Sequence, residues 1–166
     1  MKDSDFDALL GMTKHEEWLR AIGEHFLYFG EIEWFTYDML VLLPTEKIFD
    51  SVKNLRLNER GKLVITLLKE KGLDQAVIEE VEGQLKTAGD HNELRNTLAH
   101  NPLRVSVYMR EDEEDEDAFL SHRVSKFTSP EEEITLQQLK EANSKLKEVV
   151  EKLFECHSKI RRRIDK

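Results

Sequence analysis

The sequence has few of the residues that mark several other classes of protein: one cysteine, three prolines and seven glycines among 166 residues. The single cysteine, Cys156, excludes an internal disulfide and a cysteine-ligated zinc site, and it fits a reducing compartment. The scarcity of turn residues, together with 36% charged and 39% hydrophobic residues, favours a helical protein over a β-sandwich. The length suits one domain, which we expect to cover residues 1–166.

Long hydrophobic runs are also missing. No segment approaches the roughly 20 apolar residues that a membrane span requires. The first residues, MKDSDFDALLG, carry acids where a signal peptide carries lysines or arginines. We therefore expect a cytoplasmic protein with no membrane partner. The net charge of −9 argues against binding nucleic acid by bulk attraction, although it is compatible with a local basic pocket.

Hydrophobic periodicity predicts helices over most of the chain. A loose leader is expected at residues 1–12, and the predicted helices cover residues 14–43, 45–55, 58–72, 74–100 and 135–164. Their predicted N-caps are Thr13, Asn58, Asp74 and Thr135, and Gln138 completes a capping box with Thr135. The near-3.5 spacing of apolar residues in the last helix suits packing against long antiparallel helices. The predicted fold is mainly α, an antiparallel helical bundle.

Between residues 103 and 127 the hydrophobic period changes from 3.6 to 2. Leu103, Val105, Val107 and Met109 alternate with polar residues, and a second strand is predicted from Phe119 to Phe127. The acidic segment EDEEDED lies between the two strands, where it reads as a solvated turn. The pattern predicts one inserted β-hairpin at residues 103–127.

Chemically versatile side chains gather at the predicted end of the 74–100 helix, in the segment ELRNTLAHNP. Asn96 and His100 are four residues apart and share a helix face. The long side chain of Arg95 can curl toward the helix end, and His91, four residues earlier, could flank it. The simpler interpretation is that Arg95 pairs with an acid and that His100 caps the helix.

These residue types fit the cleavage of RNA by its own 2′-hydroxyl. Arginine offers a planar fork of donors for phosphate oxygens, histidine can take or give a proton, and asparagine can orient a neighbour. No carboxylate pair or cysteine is required, so no metal or other cofactor is implied. One histidine cannot easily perform both proton transfers, and a two-fold homodimer would supply the second.

The segment Arg95-Asn96-Thr97-Leu98-Ala99-His100 resembles the R-N-x-x-x-H form of the Arg-x(4–6)-His motif of HEPN domains. These small helical bundles, often dimeric, include metal-independent endoribonucleases of toxin–antitoxin, antiphage defence and RNA-processing systems. The resemblance implies that Arg95, Asn96 and His100 line an RNA-cleaving cleft at a homodimer interface. It also implies an antitoxin or defence-system partner.

The same resemblance suggests one further site residue and shows one departure. Family members often carry a polar or acidic residue on the first long helix, and Glu33 is the candidate here. Members paired with a nucleotidyltransferase often have a tyrosine two residues after the histidine, where this chain has Pro102. An antitoxin that modifies such a tyrosine is therefore not expected.

Two other functions stay open at this point. One is a HEPN-like bundle that binds nucleotide or protein without cutting, which the acidic composition favours; the other is a structural helical adaptor. The basic cluster Arg161, Arg162 and Arg163 has two interpretations as well. It can stabilise the C-terminal end of the last helix through the helix dipole, or it can contact RNA phosphates.

Overall fold

The computed structural model describes residues 12–44, 48–101, 103–108, 119–126 and 129–164. In these ranges the chain is mainly α-helical with a three-stranded antiparallel sheet, which confirms the predicted fold class. The helices are α1 (Met12–Leu42), α2 (Phe49–Val52), α3 (Leu57–Glu70), α4 (Gln75–Asp90), α5 (Asn92–His100) and α6 (Leu136–Ile164). The strands are β1 (Leu103–Tyr108), β2 (Phe119–Lys126) and β3 (Ser129–Ile134). No described helix is both long and apolar enough to cross a membrane.

Several predictions about element ends are confirmed and two are wrong. The Asp74 carboxylate accepts from the Ala76 amide at 2.8 Å, as an N-cap does. Thr135 and Gln138 form the predicted reciprocal capping box, at 2.8 and 3.2 Å. Thr13 and Asn58, however, lie inside α1 and α3 rather than before them. The predicted leader up to residue 11 and the acidic turn lie outside the described residues.

The predicted helix from Asp74 to His100 is two helices, because the chain leaves the helical path at His91. Asn58 on α3 explains the break. Its side-chain oxygen accepts from the Asn92 amide at 3.1 Å, and a Cβ placed on Gly89 would lie 3.1 Å from that same oxygen. Glycine therefore lets α4 approach Asn58 closely, and the hydrogen bond fixes where α5 begins.

The predicted hairpin is present, and a third strand extends it. Strands β1 and β2 pair antiparallel with Leu103 opposite Val124, and β3 adds to the other side of β2 with Ile134 opposite Val124. The pairing of β2 with β3 is irregular between Ser125 and Lys126. The sheet order is thus β1-β2-β3, so β3 is an edge strand among the described residues.

The chain divides into two compact units, each of which has most of its residue contacts within itself. The first contains the described residues of Met1–His25 together with Glu93–Asn143. It buries Trp18, Ala21, Leu98, Val124, Leu139 and Ala142. A polar pair also holds it together, since the Asn143 side chain donates to the Ala21 carbonyl at 2.7 Å and lies 2.8 Å from the His25 imidazole. Helix α5 from Glu93 onward and the sheet belong to this unit.

The second unit contains Phe26–Asn92 and Ser144–Lys166. It is a helical bundle around one apolar core drawn from α1, α3, α4 and α6. Its fully buried residues include Ile32, Met39, Leu40, Val64, Leu68, Val81, Leu146, Leu153 and Ile160. Each unit is built from separated stretches of chain, so no linker marks a boundary in the sequence.

Candidate functional site

Helix α5 turns one face into the first unit and the other to solvent. Thr97 and Leu98 are buried, whereas Asn96, Ala99 and His100 are exposed. By the 3.6-residue period, the four positions Arg95, Ala99, Asn96 and His100 fall within about 140° of one another. The three predicted site residues therefore lie on the outer half of one short helix, with Arg95 half-buried and Asn96 and His100 exposed.

Arg95 and Asn96 are in direct contact. The Arg95 guanidinium donates from Nη1 to the Asn96 side-chain oxygen at 3.2 Å. This bond uses the amide oxygen of Asn96, so the two amide hydrogens are available on the side that His100 shares. Asn96 thus holds the guanidinium from the neighbouring position of the helix.

The alternative interpretation assigned Arg95 to an acid and His100 to a helix cap. Among the residues that the structure describes, no carboxylate lies within salt-bridge distance of Arg95 or His100. The end of α5 is closed by Asn101 instead, whose backbone and side-chain nitrogens both donate to the Thr97 carbonyl, at 3.0 and 2.8 Å. Within the described ranges, neither the Arg95 guanidinium nor the His100 imidazole therefore forms an ion pair.

Ala99 is the smallest side chain on this face. It is exposed and, by helical geometry, sits between Arg95 on one side and Asn96 and His100 on the other. A methyl group there leaves the space between the longer side chains open.

His91 does not lie on the helix that carries Arg95. It occupies the turn between α4 and α5, so the helical four-residue spacing that suggested a flanking role does not apply. Burial, aided by the Lys145 ammonium, lowers the pKa of His91 below its ordinary value of 6.5, against an opposing effect of Asp90. At neutral pH His91 is therefore uncharged and adds no positive charge.

Glu33 lies in the second unit, on α1. Its carboxylate is 3.8 Å from the buried guanidinium of Arg60, and its backbone carbonyl accepts from the Thr36 hydroxyl at 2.8 Å. Arg60 also donates to the Thr36 hydroxyl, the Tyr37 hydroxyl and the Leu55 carbonyl. The structure thus gives Glu33 a partner that the sequence did not suggest.

The terminal arginines end α6 in the second unit. Arg161 reaches the Asp38 carboxylate at 3.3 Å, which His157 also contacts at 2.8 Å. Arg162 and Arg163 are exposed in the last turn. Their position agrees with stabilisation of the helix end by positive charge, and Arg161 is additionally engaged by an acid.

A groove on the second unit was not anticipated from the sequence. It lies between α3 and α4, encloses about 590 Å³ and has Leu57, Ile65 and Leu85 among its lining. Lys62, Lys69 and Lys86 also line it, together with Glu82 and Asp90. The lysines alternate with apolar residues on two separate helices, so no compact motif marks them in the sequence.

Comparisons with protein-family models, with curated proteins and with solved structures find no match for this chain.

Proposed function

We propose that this chain is a metal-independent endoribonuclease of the HEPN type. The observation that carries the proposal is the arrangement on α5, where Arg95 contacts Asn96 and shares the outer half of the helix with His100. The resemblance of the same six residues to the family motif supports it. A role as a toxin or a defence effector, acting with an antitoxin or defence-system partner, follows from that resemblance and belongs to the proposal.

The chemistry follows from the three side chains. His100 takes the proton of a ribose 2′-hydroxyl, and the 2′-oxygen attacks the adjacent phosphorus while the bond from phosphorus to the 5′-oxygen breaks. The Arg95 guanidinium binds the non-bridging oxygens, where negative charge grows in the transition state. Asn96 holds the guanidinium and donates to the same phosphate. A second His100, from another copy of the chain, gives a proton to the leaving 5′-oxygen.

A cleavage assay with matched variants tests this proposal. Purified protein is incubated with a labelled oligoribonucleotide in excess EDTA. We expect cleavage to persist in the chelator and to fall about 10²–10⁴-fold in His100→Ala, the range for loss of a general base. A fall of about 10²–10³-fold is expected in Arg95→Ala. His100 is exposed and Arg95 is half-buried at the surface of α5, so the variants should keep the helical circular dichroism of the parent.

The control is Arg20→Ala, which removes an exposed arginine of α1 outside the motif. Its cleavage rate should match the parent rate. Solution mass is measured for every variant, because a change in assembly would mimic a loss of chemistry. Activity that disappears in EDTA, or that survives both motif substitutions in intact assemblies, would contradict the proposal.

A second candidate function is binding of nucleotide without cleavage. The groove between α3 and α4 favours it, because lysine ammonium groups beside an apolar surface suit a ligand with phosphates and a planar base. Titration with a fluorescent adenine nucleotide checks this candidate. Binding that weakens in a Lys62→Ala, Lys86→Ala double variant but not in Arg95→Ala would favour it over the nuclease.

A further inference from the structure

The sheet of the first unit continues directly from the helix that carries the candidate site. Helix α5 ends at His100, and β1 begins three positions later at Leu103. Leu103 is half-buried opposite the buried Val124 of β2, whereas the next residue, Arg104, is exposed. Successive residues of a strand point to opposite faces. The outer half of α5 is therefore followed, within a few residues, by an exposed arginine on β1.

A second arginine lies across the strands from the first. Arg104 of β1 is directly opposite Arg123 of β2. Directly opposed residues of an antiparallel pair share one face of the sheet, with their Cβ atoms about 4.5–5.5 Å apart, and like charges in this position repel each other. The two residues are 19 positions apart in the sequence and come together only through the register of the strands. This register concentrates positive charge in a chain whose net charge is −9.

The two arginines differ in their partners. Arg123 forms an ion pair with Glu133 of β3. The Arg104 side chain has neither an ion pair nor a hydrogen bond with any described residue. The order β1-β2-β3 places β3, whose sequence SPEEEI carries the glutamates, two strand spacings or about 10 Å from β1. Within the described part of the sheet, the charge of Arg104 is therefore not balanced by an acid.

Arg104 is also close to the proposed cleavage site along the chain. It lies four positions after His100, and even a fully extended chain spans no more than about 14 Å over that length. In the proposed mechanism Arg95 and His100 act on the scissile phosphate, so the phosphates next to the cut are those that Arg104 can reach. A guanidinium offers a planar fork of donors to phosphate oxygens. A bound phosphate also reduces the repulsion between Arg104 and Arg123.

We propose that Arg104, with Arg123 beside it, binds a backbone phosphate of the RNA strand next to the scissile phosphate. The pair holds the strand against α5 and takes no part in proton transfer. The identity of the ligand rests on the proposed nuclease function, whereas the unbalanced charge rests on the register of the sheet alone. Because a phosphate carries no base identity, this contact adds affinity without sequence preference.

Binding is measured apart from cleavage, because each can fail without the other. A short fluorescein-labelled RNA with a 2′-O-methyl group on every nucleotide cannot be cut by its own 2′-hydroxyl. Fluorescence anisotropy gives its Kd between about 50 and 200 mM salt. Arg104→Gln removes one positive charge from an exposed side chain. It should raise the Kd about three- to tenfold and lower the slope of log K against log salt by about 0.7, the value for one phosphate contact on a single strand.

Two further variants serve as controls. Arg104→Lys keeps the positive charge and should keep the salt slope of the parent, although it loses the planar fork. Arg20→Ala removes an exposed arginine of α1 in the same unit and should change neither the Kd nor the slope. Circular dichroism checks that each variant is folded. With cleavable RNA, Arg104→Gln should raise KM about three- to tenfold and leave kcat within about twofold, since the contact is equal in the ground and transition states.

Four outcomes separate the phosphate contact from the nuclease chemistry. A weaker Kd and a smaller salt slope in Arg104→Gln, with cleavage by the parent, support both. The same changes in a parent that does not cut RNA support the contact and contradict the chemistry. Cleavage by the parent with KM, Kd and slope unchanged in Arg104→Gln overturns the contact and leaves the chemistry standing. A parent that binds no RNA at any salt concentration overturns both.

Discussion

The buried guanidinium of Arg60 offers the most quantitative test of the second unit. Its side chain is 4% exposed, and it donates to the Leu55 carbonyl at 2.5 Å, the Tyr37 hydroxyl at 3.0 Å and the Thr36 hydroxyl at 3.1 Å. The guanidinium carbon also lies 4.1 Å from the centre of the Tyr37 ring. Glu33, at 3.8 Å, is the nearby acid. Arg60 therefore joins α1, α3 and the segment that precedes α3.

Replacing Arg60 with alanine should lower the free energy of unfolding by about 2–5 kcal/mol, because it removes a buried hydrogen-bond donor and leaves a cavity. The loss has two physical parts. The Leu55 carbonyl loses a charge-assisted hydrogen bond, and a cavity forms where the aliphatic stem packed. Arg60→Met keeps most of the stem volume, and Glu33, with its side chain 38% exposed, can be rehydrated. Arg60→Met should therefore lower the free energy of unfolding by less than Arg60→Ala, by about 1–3 kcal/mol.

Urea unfolding followed by tryptophan fluorescence measures both values, because Trp34 lies on the same helix as Thr36 and Tyr37. Lys62→Ala is the control, since Lys62 is exposed on α3, and its cost should stay within about 0.5 kcal/mol. A cost below about 1 kcal/mol for Arg60→Ala would mean that the guanidinium is not held as the structure shows. An equal cost for methionine and alanine would mean that packing of the stem contributes nothing.

Three further predictions concern the site and its supports. Asn96→Asp keeps the side-chain size but pairs Arg95 with a carboxylate. We expect the free energy of unfolding to change by no more than about 1 kcal/mol, because the pair is exposed. RNA cleavage should fall at least about tenfold, because the carboxylate neutralises the guanidinium. Folding lowers the pKa of His91, so its uncharged imidazole contributes to the stability of the folded protein above about pH 6.5, and this stability is lost as the pH falls below that value. His91→Gln should therefore reduce the fall of the thermal unfolding midpoint between about pH 7 and 5. Thr135→Ala removes the acceptor for the Gln138 amide and should cost about 1 kcal/mol in urea unfolding.

Each of these has a matched comparison. For Asn96→Asp, the variant Asn96→Ala frees Arg95 without adding charge and should lose less cleavage; equal losses would contradict the neutralisation argument. For His91→Gln, a decline of the unfolding midpoint as steep as that of the parent would contradict the burial of His91. For Thr135→Ala, Thr135→Ser keeps the hydroxyl and should keep the stability, so equal losses for alanine and serine would contradict the cap.

Periodicity was sufficient to predict the long helices and the fold class, because α1 and α6 bury regular apolar stripes over many turns. It was not sufficient at the break between α4 and α5. Leu85 and Ala88 before the break and Leu94 and Leu98 after it continue one helical pattern. The break depends on Asn58, which is 34 residues away from Asn92 and reaches it only in the folded chain.

Strand β3 was missed for a related reason. Its sequence, SPEEEI, has no apolar alternation and contains a proline, a residue normally confined to edge strands. The strand forms because its backbone pairs with β2, and Glu133 adds an ion pair with Arg123. Neither interaction produces a local sequence pattern, so the sequence predicted two strands where the structure has three.

The candidate site was found through local spacing alone. Arg95, Asn96 and His100 lie within six residues, so helix geometry suffices to bring them to one face. That no described carboxylate pairs with Arg95 or His100, and that Asn101 rather than His100 closes the helix, could not be predicted from this spacing. The contact of Glu33 with Arg60 could not be predicted from local spacing, because Arg60 is 27 positions away and has the sequence context of an ordinary surface residue.

The chemical ends of the RNA fragments provide the most direct measurement of the central claim, that Arg95, Asn96 and His100 direct a ribose hydroxyl onto its own phosphate. Mass spectrometry of fragments made in EDTA should show a 2′,3′-cyclic phosphate on one product and a 5′-hydroxyl on the other. A single 2′-deoxy nucleotide at the cut position should prevent the cut. Fragments that end in a 3′-hydroxyl, or cleavage that proceeds through the deoxy position, would contradict this account.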